Sequence, residues 1–255
     1  MLFNYHTHTA RCNHAKGTDR EYVEAAIRAG IKILGFSDHA PYVFPKETGY
    51  YSSFRMKVEE TEDYISSVLS LKKEYEKEIG ILCGFELEYY PDYHKDEMAF
   101  LRQYKPDYMI LGQHCLGNEI SGVLGRGSDD ILLTAYVTQV LAGLATGDFL
   151  YLTHPDMCGY RYSEEWLQQE YRRLCEGAKR MNIPLEINLL GVRENRWYPD
   201  GRFFKIAAEV GNEVLLGVDA HSPESLENSG EEKARALAKE WGIALRETPL
   251  ALPRL

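Results

Sequence analysis

Short apolar runs alternate with amphipathic stretches from one end of the chain to the other. A brief, nearly continuous apolar run bounded by turn residues predicts a buried parallel strand, and apolar residues recurring three and four apart predict a helix. Strands are expected at Leu2 to Tyr5, Ile31 to Phe36, Ile81 to Glu88, Tyr108 to His114, Phe149 to His154, Pro184 to Leu189 and Val214 to His221. Ile243 to Thr248 is a strand-like tail. The first helix has the clearest signals. Thr18 and Glu21 form a capping box, Tyr22, Ala25, Ala26 and Ala29 supply an apolar stripe, and Gly30 is placed to end it. Further helices are expected from Phe54 to Glu78, from Pro91 to just before Pro106, from Asp130 to Leu144, from Ser163 to Arg180, from Arg202 to Val210 and from Glu231 to Trp241. Seven strand–helix units in this order predict an α/β fold closed into a parallel barrel, and 255 residues suit one barrel domain over 1–255.

The polar residues at the strand ends point the same way. Seven of the eight histidines lie at or just after the end of an apolar run, and most have a carboxylate close by. His6 and His8 follow the first strand and His14 lies in the loop beyond. Asp38 and His39 follow the second, Glu86 and Glu88 close the third, His114 the fourth and His154 the fifth. Glu186 and Asn188 end the sixth, and Asp219 and His221 end the last. His94 alone falls outside the pattern and reads as a surface histidine on a helix. In a parallel barrel this is the face where active sites are built, whereas an open sheet would gather its ligands at one switch point.

Spacing then sorts the candidates. Residues two apart on a strand point to one side, so His6 with His8, and Asp219 with His221, can each face a common ion. First and last strands adjoin in a closed barrel, which would bring His6, His8 and Asp219 together. One of Glu86 and Glu88 is expected to bridge two ions. His114 and His154 read as ligands, and His14, His39 and His221 could complete a third site. Asp38, Glu186 and Asn188 are candidates for orienting ligands or substrate. Imidazole and carboxylate together suit Zn, Mn or Fe alike. Two or three such ions suit hydrolysis at phosphorus, by attack of a hydroxide shared between metals, with arginine adding a fork for phosphoryl oxygens. Arg126, Arg161, Arg193 and Arg196 follow strands four to six on the same face.

Composition narrows the substrate. A formal charge of −10 argues against a phosphate-backbone partner such as DNA. Two or three divalent ions would add about four to six positive charges inside the site, which suits a small phosphorylated substrate. Cys12, Cys83, Cys115, Cys158 and Cys175 form no paired framework and read as reduced, mostly buried side chains of a cytoplasmic protein. Neither a signal-peptide pattern nor an apolar stretch long enough for a membrane span is expected. The loop from Ala40 to Ser53 is long and aromatic, and reads as a lid or a pocket wall.

These residues resemble the polymerase and histidinol phosphatase (PHP) family. His6-Thr-His8-Thr with Cys12 and His14, Ser37-Asp-His39, Gly84-Phe-Glu86, His114, Thr153-His-Pro-Asp156 and Gly217-Val-Asp-Ala-His221 look like its successive motifs. The resemblance implies a distorted seven-stranded, TIM-like barrel with three metal ions. It implies that His6, His8, Glu86 and Asp219 hold one ion, that Glu86, His114 and His154 hold a second, and that His14, His39 and His221 hold the third. It favours Glu86 over Glu88 as the bridge. The run from Ile187 through Asn188 and Arg193 to Tyr198 and Pro199 looks like the histidinol-phosphatase branch. That implies hydrolysis of L-histidinol phosphate in histidine biosynthesis, with Arg193 as the leading phosphate contact, Arg161 and Asn188 as further substrate contacts, and catalysis shared by Glu86, Asp219, His221 and Arg193. The alternative is another small phosphomonoester. Asp156, or a carboxylate of the active-face loops, is a candidate for the substrate ammonium, and Tyr42, Phe44, Tyr160 and Trp197 for its imidazole.

Overall fold

A computed structural model describes residues 1–121, 130–158 and 162–252. Strands β1 (Phe3–Asn4), β2 (Ile33–His39), β3 (Gly80–Leu87) and β4 (Tyr108–Leu111) form one parallel sheet in sequence order. Strands β5 (Leu185–Asn188) and β6 (Val214–Gly217) form a second parallel pair. Single-residue bridges join the two. Leu152 pairs with Leu111 on one side and with Leu185 on the other, and Thr7 pairs with Ala220. The sheets thus curl into a closed but distorted parallel barrel.

The expected fifth strand, Phe149 to His154, is therefore reduced to one bridging residue. Leu150 donates to Met109 O and Thr153 to Leu111 O, but the chain turns away at His154, where φ is 26°. The tail behaves likewise, with only Leu245 bridging, to Val214.

Between β1 and β2 runs α1 (Asp19–Arg28), with the expected Thr18–Glu21 capping box. Helix α2 (Thr61–Glu74) is shorter than the expected Phe54 to Glu78, because residues 54–57 belong to the preceding loop and 75–78 to a closing turn. The expected Pro91 helix is α3 (His94–Leu101) with a 3-10 turn after it. Helices α4 (Asp130–Leu144), α5 (Glu164–Arg180), α7 (Gly201–Val210) and α9 (Glu231–Glu240) fall where the apolar periodicity puts them. Helices α6 (Leu189–Glu194) and α8 (Glu224–Glu227) are additions. Asn188 starts α6 by accepting a hydrogen bond from the Gly191 amide, so Arg193 lies in a helix and not in a loop. His94 is the other revision. It is buried at the start of α3 and its Nε2 lies 2.8 Å from Asp148 Oδ2.

Phe3, Tyr5, Tyr108, Ile110, Leu150, Tyr151 and Leu215 form one apolar cluster, joined by Ile33, Leu82 and Leu250. Side chains from so many strands meet only inside the barrel. Period-two alternation carries the same inward face upward from Leu82 through Gly84 to Glu86, and from Leu215 through Gly217 to Asp219. The barrel thus has an apolar floor and a polar mouth. The larger core lies outside, between strands and helices.

The loop after β2 is anchored at its base. Tyr42 Oη donates to Glu88 O at 2.6 Å, and the Val43 amide donates to Glu97 Oε2 at 2.9 Å. Glu97 of α3 is buried, and burial pushes its carboxyl up to about 8 against the Val43 amide and Arg55. A raised acid keeps its proton in the fold while the unfolded chain releases it near ~4.3. Its favourable term is present below that value and is lost as pH rises toward 8. Glu97→Gln imitates the protonated acid. It is expected to stabilise the protein by a few kcal/mol at most at pH 8 and by little at pH 4.5. Equal shifts in melting midpoint at both pH values would refute this account.

Candidate metal centre

The barrel mouth collects its ligands from every side. His6 and His8 flank the Thr7 bridge, Asp219 and His221 flank its partner Ala220, His39 ends β2, and Glu86 lies in β3. His114 follows β4 and His154 follows the Leu152 bridge. His6, His8, His39, Glu86, His154 and Asp219 are buried, whereas His14 is exposed.

Glu86 is the hub. Its Oε1 lies 2.9 Å from His154 Nε2, 3.6 Å from His6 Nε2 and 3.8 Å from His114 Nε2. Its Oε2 lies 3.0 Å from His39 Nδ1 and 3.5 Å from His8 Nε2. Asp219 Oδ1 lies 3.5 Å from His6 Nε2, 3.2 Å from His8 Nε2 and 3.3 Å from His221 Nδ1. On the outer side, His14 Nε2 and His221 Nε2 are 3.0 Å apart. Ligand atoms of His6, His8 and Asp219, of His6, Glu86 and His154, and of His14, His39 and His221 each fall within 4.8 Å of one another.

Two glycines make room for the carboxylates. A Cβ on Gly112 would stand 1.9 Å from Glu86 Oε1, and one on Gly217 would stand 2.0 Å from Glu186 Oε2. Two carboxylates and a backbone carbonyl fix the imidazoles. Glu186 Oε2 takes His6 Nδ1 at 2.9 Å, Glu88 Oε1 takes His114 Nδ1 at 2.7 Å, and Cys12 O takes His14 Nδ1 at 2.8 Å. Each contact leaves Nε2 to face inward, the arrangement that prepares an imidazole for a metal. Glu88 is thus an orienting carboxylate, and Asp38, 3.4 Å from His8 Nδ1 and bonded to Thr9, has a similar place.

The electrostatics suit a cation. His6 Nε2, His8 Nε2, His39 Nδ1 and Asp219 Oδ1 are buried without a hydrogen bond, an arrangement costly for polar atoms unless a cation takes their lone pairs. Burial opposes a charge on His6, yet Glu186, Asp219 and Glu86 prevail and lift it to about 10. Burial and the His8 charge instead push His221 down to about 3. Burial also drives His39 well below the usual imidazole range. Against burial, the surrounding imidazoles hold Glu86 and Asp219 well below the usual carboxylate range. Anionic carboxylates thus stand beside neutral His39 and His221 and beside a His6 whose extra proton a cation would displace, a donor set suited to Zn, Mn or Fe.

The cluster lines a cavity of about 380 Å³, whose wall also includes Phe54, Met157, Leu190, Glu194, Arg196 and Tyr198. Arg193 is not part of that lining. Its guanidinium donates to Val218 O at 2.9 Å, to Ser229 O at 3.2 Å and to Asp219 O at 3.3 Å. It steadies the backbone at Asp219, whose φ of 51° is unusual for a non-glycine residue. Asn188 is also turned inward, with Nδ2 2.8 Å from Glu186 Oε1 and 3.0 Å from Asp219 Oδ2. Asp156 is sealed in, accepting from the Asp200 amide, so it is withdrawn from any ammonium. Arg126, Tyr160 and Arg161 lie outside the described residues. Sequence reasoning passed over Arg55 and Glu119. Both are buried, with Arg55 Nη2 2.9 Å from Glu88 Oε2 and 2.6 Å from Glu119 Oε2. Loop residues have no periodicity to mark them.

A family model described as PHP domain matches residues 4–189. A protein named "Probable histidinol-phosphatase" from Deinococcus radiodurans is 29% identical over 233 residues, 87% of each chain. The histidinol-phosphatase of Bacillus subtilis is 34% identical over 121 residues, 46% of this chain and 45% of that one. Among solved structures, histidinol phosphate phosphatase from Lactococcus lactis, complexed with Zn, L-histidinol and phosphate, superposes with a TM-score of 0.74 at 17% identity. That match covers 99% of this chain and 98% of the other, and it shows a shared fold.

Proposed function

This chain belongs to the PHP domain family, and on that premise we propose that it is a metal-dependent phosphomonoesterase that hydrolyses L-histidinol phosphate to L-histidinol and phosphate. The observation that carries the reading is the convergence of five imidazoles on the two oxygens of Glu86 in the lining of an open cavity. Histidinol-phosphatase relatives that align with most of this chain support the substrate.

Three divalent ions are proposed. His6, His8, Glu86 and Asp219 would hold one, Glu86, His114 and His154 a second, and His14, His39 and His221 a third. The proximity of His6, His8 and Asp219, of His6, Glu86 and His154, and of His14, His39 and His221 supports this division, with His114 Nε2 3.8 Å from Glu86 Oε1. Such ions supply Lewis acidity toward phosphoryl oxygens and lower the pKa of water. The protein's part is to hold the donors. Glu86 offers one oxygen to each side of the cluster, Asp219 joins the first-strand histidines to His221, and Glu186, Glu88 and Asn188 fix the tautomers and carboxylate rotamers. Arg193, one residue behind the cavity wall, supports catalysis by holding the Val218 and Asp219 carbonyls. Arg196, on the wall itself, replaces it as the proposed phosphate contact, and Arg161 keeps its proposed role as a second one. Glu194 offers a carboxylate to the substrate ammonium. Phe54 and Tyr198 offer faces to its imidazole. The whole chain, 1–255, is proposed to act as one domain, in the cytoplasm where amino-acid biosynthesis runs. Among the described residues no helix is long and apolar enough to cross a membrane.

A turnover screen of phosphomonoesters tests the substrate. L-histidinol phosphate is expected to exceed p-nitrophenyl phosphate in kcat/KM by ~10²-fold or more, because a site built to bond polar groups penalises analogues that lack them. Equal efficiency on both would replace this reading with a phosphoesterase of another or broader substrate.

A further inference from the structure

We infer that Arg55 is a positioning residue for the metal-binding imidazole of His114, acting through Glu88. The inference rests on the metal reading above. Arg55 lies near the end of the loop after β2 and is 2% exposed. A buried guanidinium needs partners for its whole planar fork. Here Nη2 meets Glu88 Oε2 at 2.9 Å and Glu119 Oε2 at 2.6 Å, Nε meets both Glu119 oxygens at 3.2 Å, and Nη1 donates to Ala40 O at 2.8 Å.

The chain of contacts ends on a ligand. With Oε2 bound to Arg55, Glu88 has Oε1 left for His114, whose Nδ1 is 2.7 Å away. An anionic acceptor at Nδ1 keeps the proton there, so that Nε2 presents its lone pair to the cluster. Nε2 stands 3.8 Å from Glu86 Oε1, the loosest of the hub's contacts. His114 is also the more open of the imidazoles around Glu86, with its side chain 22% exposed. It is the ligand with most to gain from an external brace. Arg55 supplies a second brace through Phe54. The guanidinium carbon lies 4.5 Å from the Phe54 ring centre, and that ring meets His39 edge-on at 5.4 Å and His114 at 6.1 Å.

Stability alone is a poor account of this group. Buried ion pairs are often no better than apolar packing of the same volume, and apolar packing would serve the loop equally. It would not set a tautomer or hold an imidazole at one angle. Glu119 has a separate part, which is to neutralise the second half of the fork.

Competition titration with Zn²⁺ against a chromophoric chelator tests the proposal, with circular dichroism and melting recorded on the same samples. Arg55→Lys keeps the charge but cannot span both carboxylates. It is expected to weaken one of the bound ions by about 10–100-fold, the usual cost of losing a partner behind a ligand, and to leave the remaining ions at wild-type affinity. Glu88→Gln, which is isosteric and keeps a polar contact to Arg55, is expected to weaken the same ion, and the double variant to be no worse than the stronger single. Folded Arg55→Lys or Glu88→Gln protein that binds every Zn²⁺ as the wild type does would overturn the proposal, even if its melting midpoint had dropped. Should Arg55→Lys fail to fold, Glu88→Gln decides alone. Wild-type protein that binds no Zn²⁺ would overturn the metal reading first, and this proposal with it.

Discussion

Thorough chelation, with metal loss verified by elemental analysis, is expected to abolish phosphatase turnover, and Mn²⁺ or Zn²⁺ is expected to restore it. The expectation follows from what the mouth of the barrel lacks without ions. Its buried histidines and carboxylates balance one another, and Arg196 is the one arginine among the described residues of the cavity wall. A phosphoryl group gathering charge on its oxygens would meet the anionic carboxylates of Glu86 and Asp219, which a protonated His6 offsets without leaving a surplus of positive charge. Divalent ions supply that surplus and are worth several kcal/mol of transition-state charge stabilisation. At 1.36 kcal/mol per tenfold, each ion lost lowers turnover by roughly 10²–10⁴-fold, and loss of all of them together takes it to background. Full activity in verified metal-free protein would defeat the mechanism outright.

Glu86→Gln is expected to lower kcat by about 10³-fold, and Glu88→Gln by about 10–100-fold. The two carboxylates are alternate residues on one face, yet their surroundings differ. Glu86 meets five imidazoles and, among the described residues, pairs with no arginine or lysine, so an amide there removes the charge that joins two sets of ligands. Glu88 meets Arg55 and the outward nitrogen of His114, so an amide there loosens one ligand from behind. Parallel measurement of kcat and bound metal separates the two effects. The reverse ranking would reassign the bridging role to Glu88.

Much of this was legible in the sequence because strand geometry is periodic. His6 with His8 and Asp219 with His221 are two apart at strand ends, and the fold brings both pairs to one seam. The choice between Glu86 and Glu88 was not decidable from alternation, since both face inward. The family motif pointed to Glu86, and its central place in the cluster supports that. What stayed hidden lay where periodicity stops. Arg55 and Glu119 come from loops and meet only in three dimensions. The direction of Arg193 depends on α6, whose start signal, Asn188 before Leu-Leu-Gly, is also the last residue of a strand and so is masked by it. The fifth strand is shorter than its apolar run because such a run records burial, and burial continues through His154 although the bridge is centred on Leu152 alone.

The single bridge between Thr7 and Ala220 has a further meaning. The two residues lie near opposite ends of the chain, and the ring of strands closes there through a contact one residue wide. The donors on either side of it, His6 and His8 from one arm, Asp219 and His221 from the other, would share a cation. An ion in that position is a staple across almost the whole polypeptide. Unlike a covalent link it would leave the unfolded chain unconstrained, and by binding only the folded form it would stabilise the closed ring by mass action. The atoms proposed to perform the chemistry would then also be the clasp that completes the architecture around them.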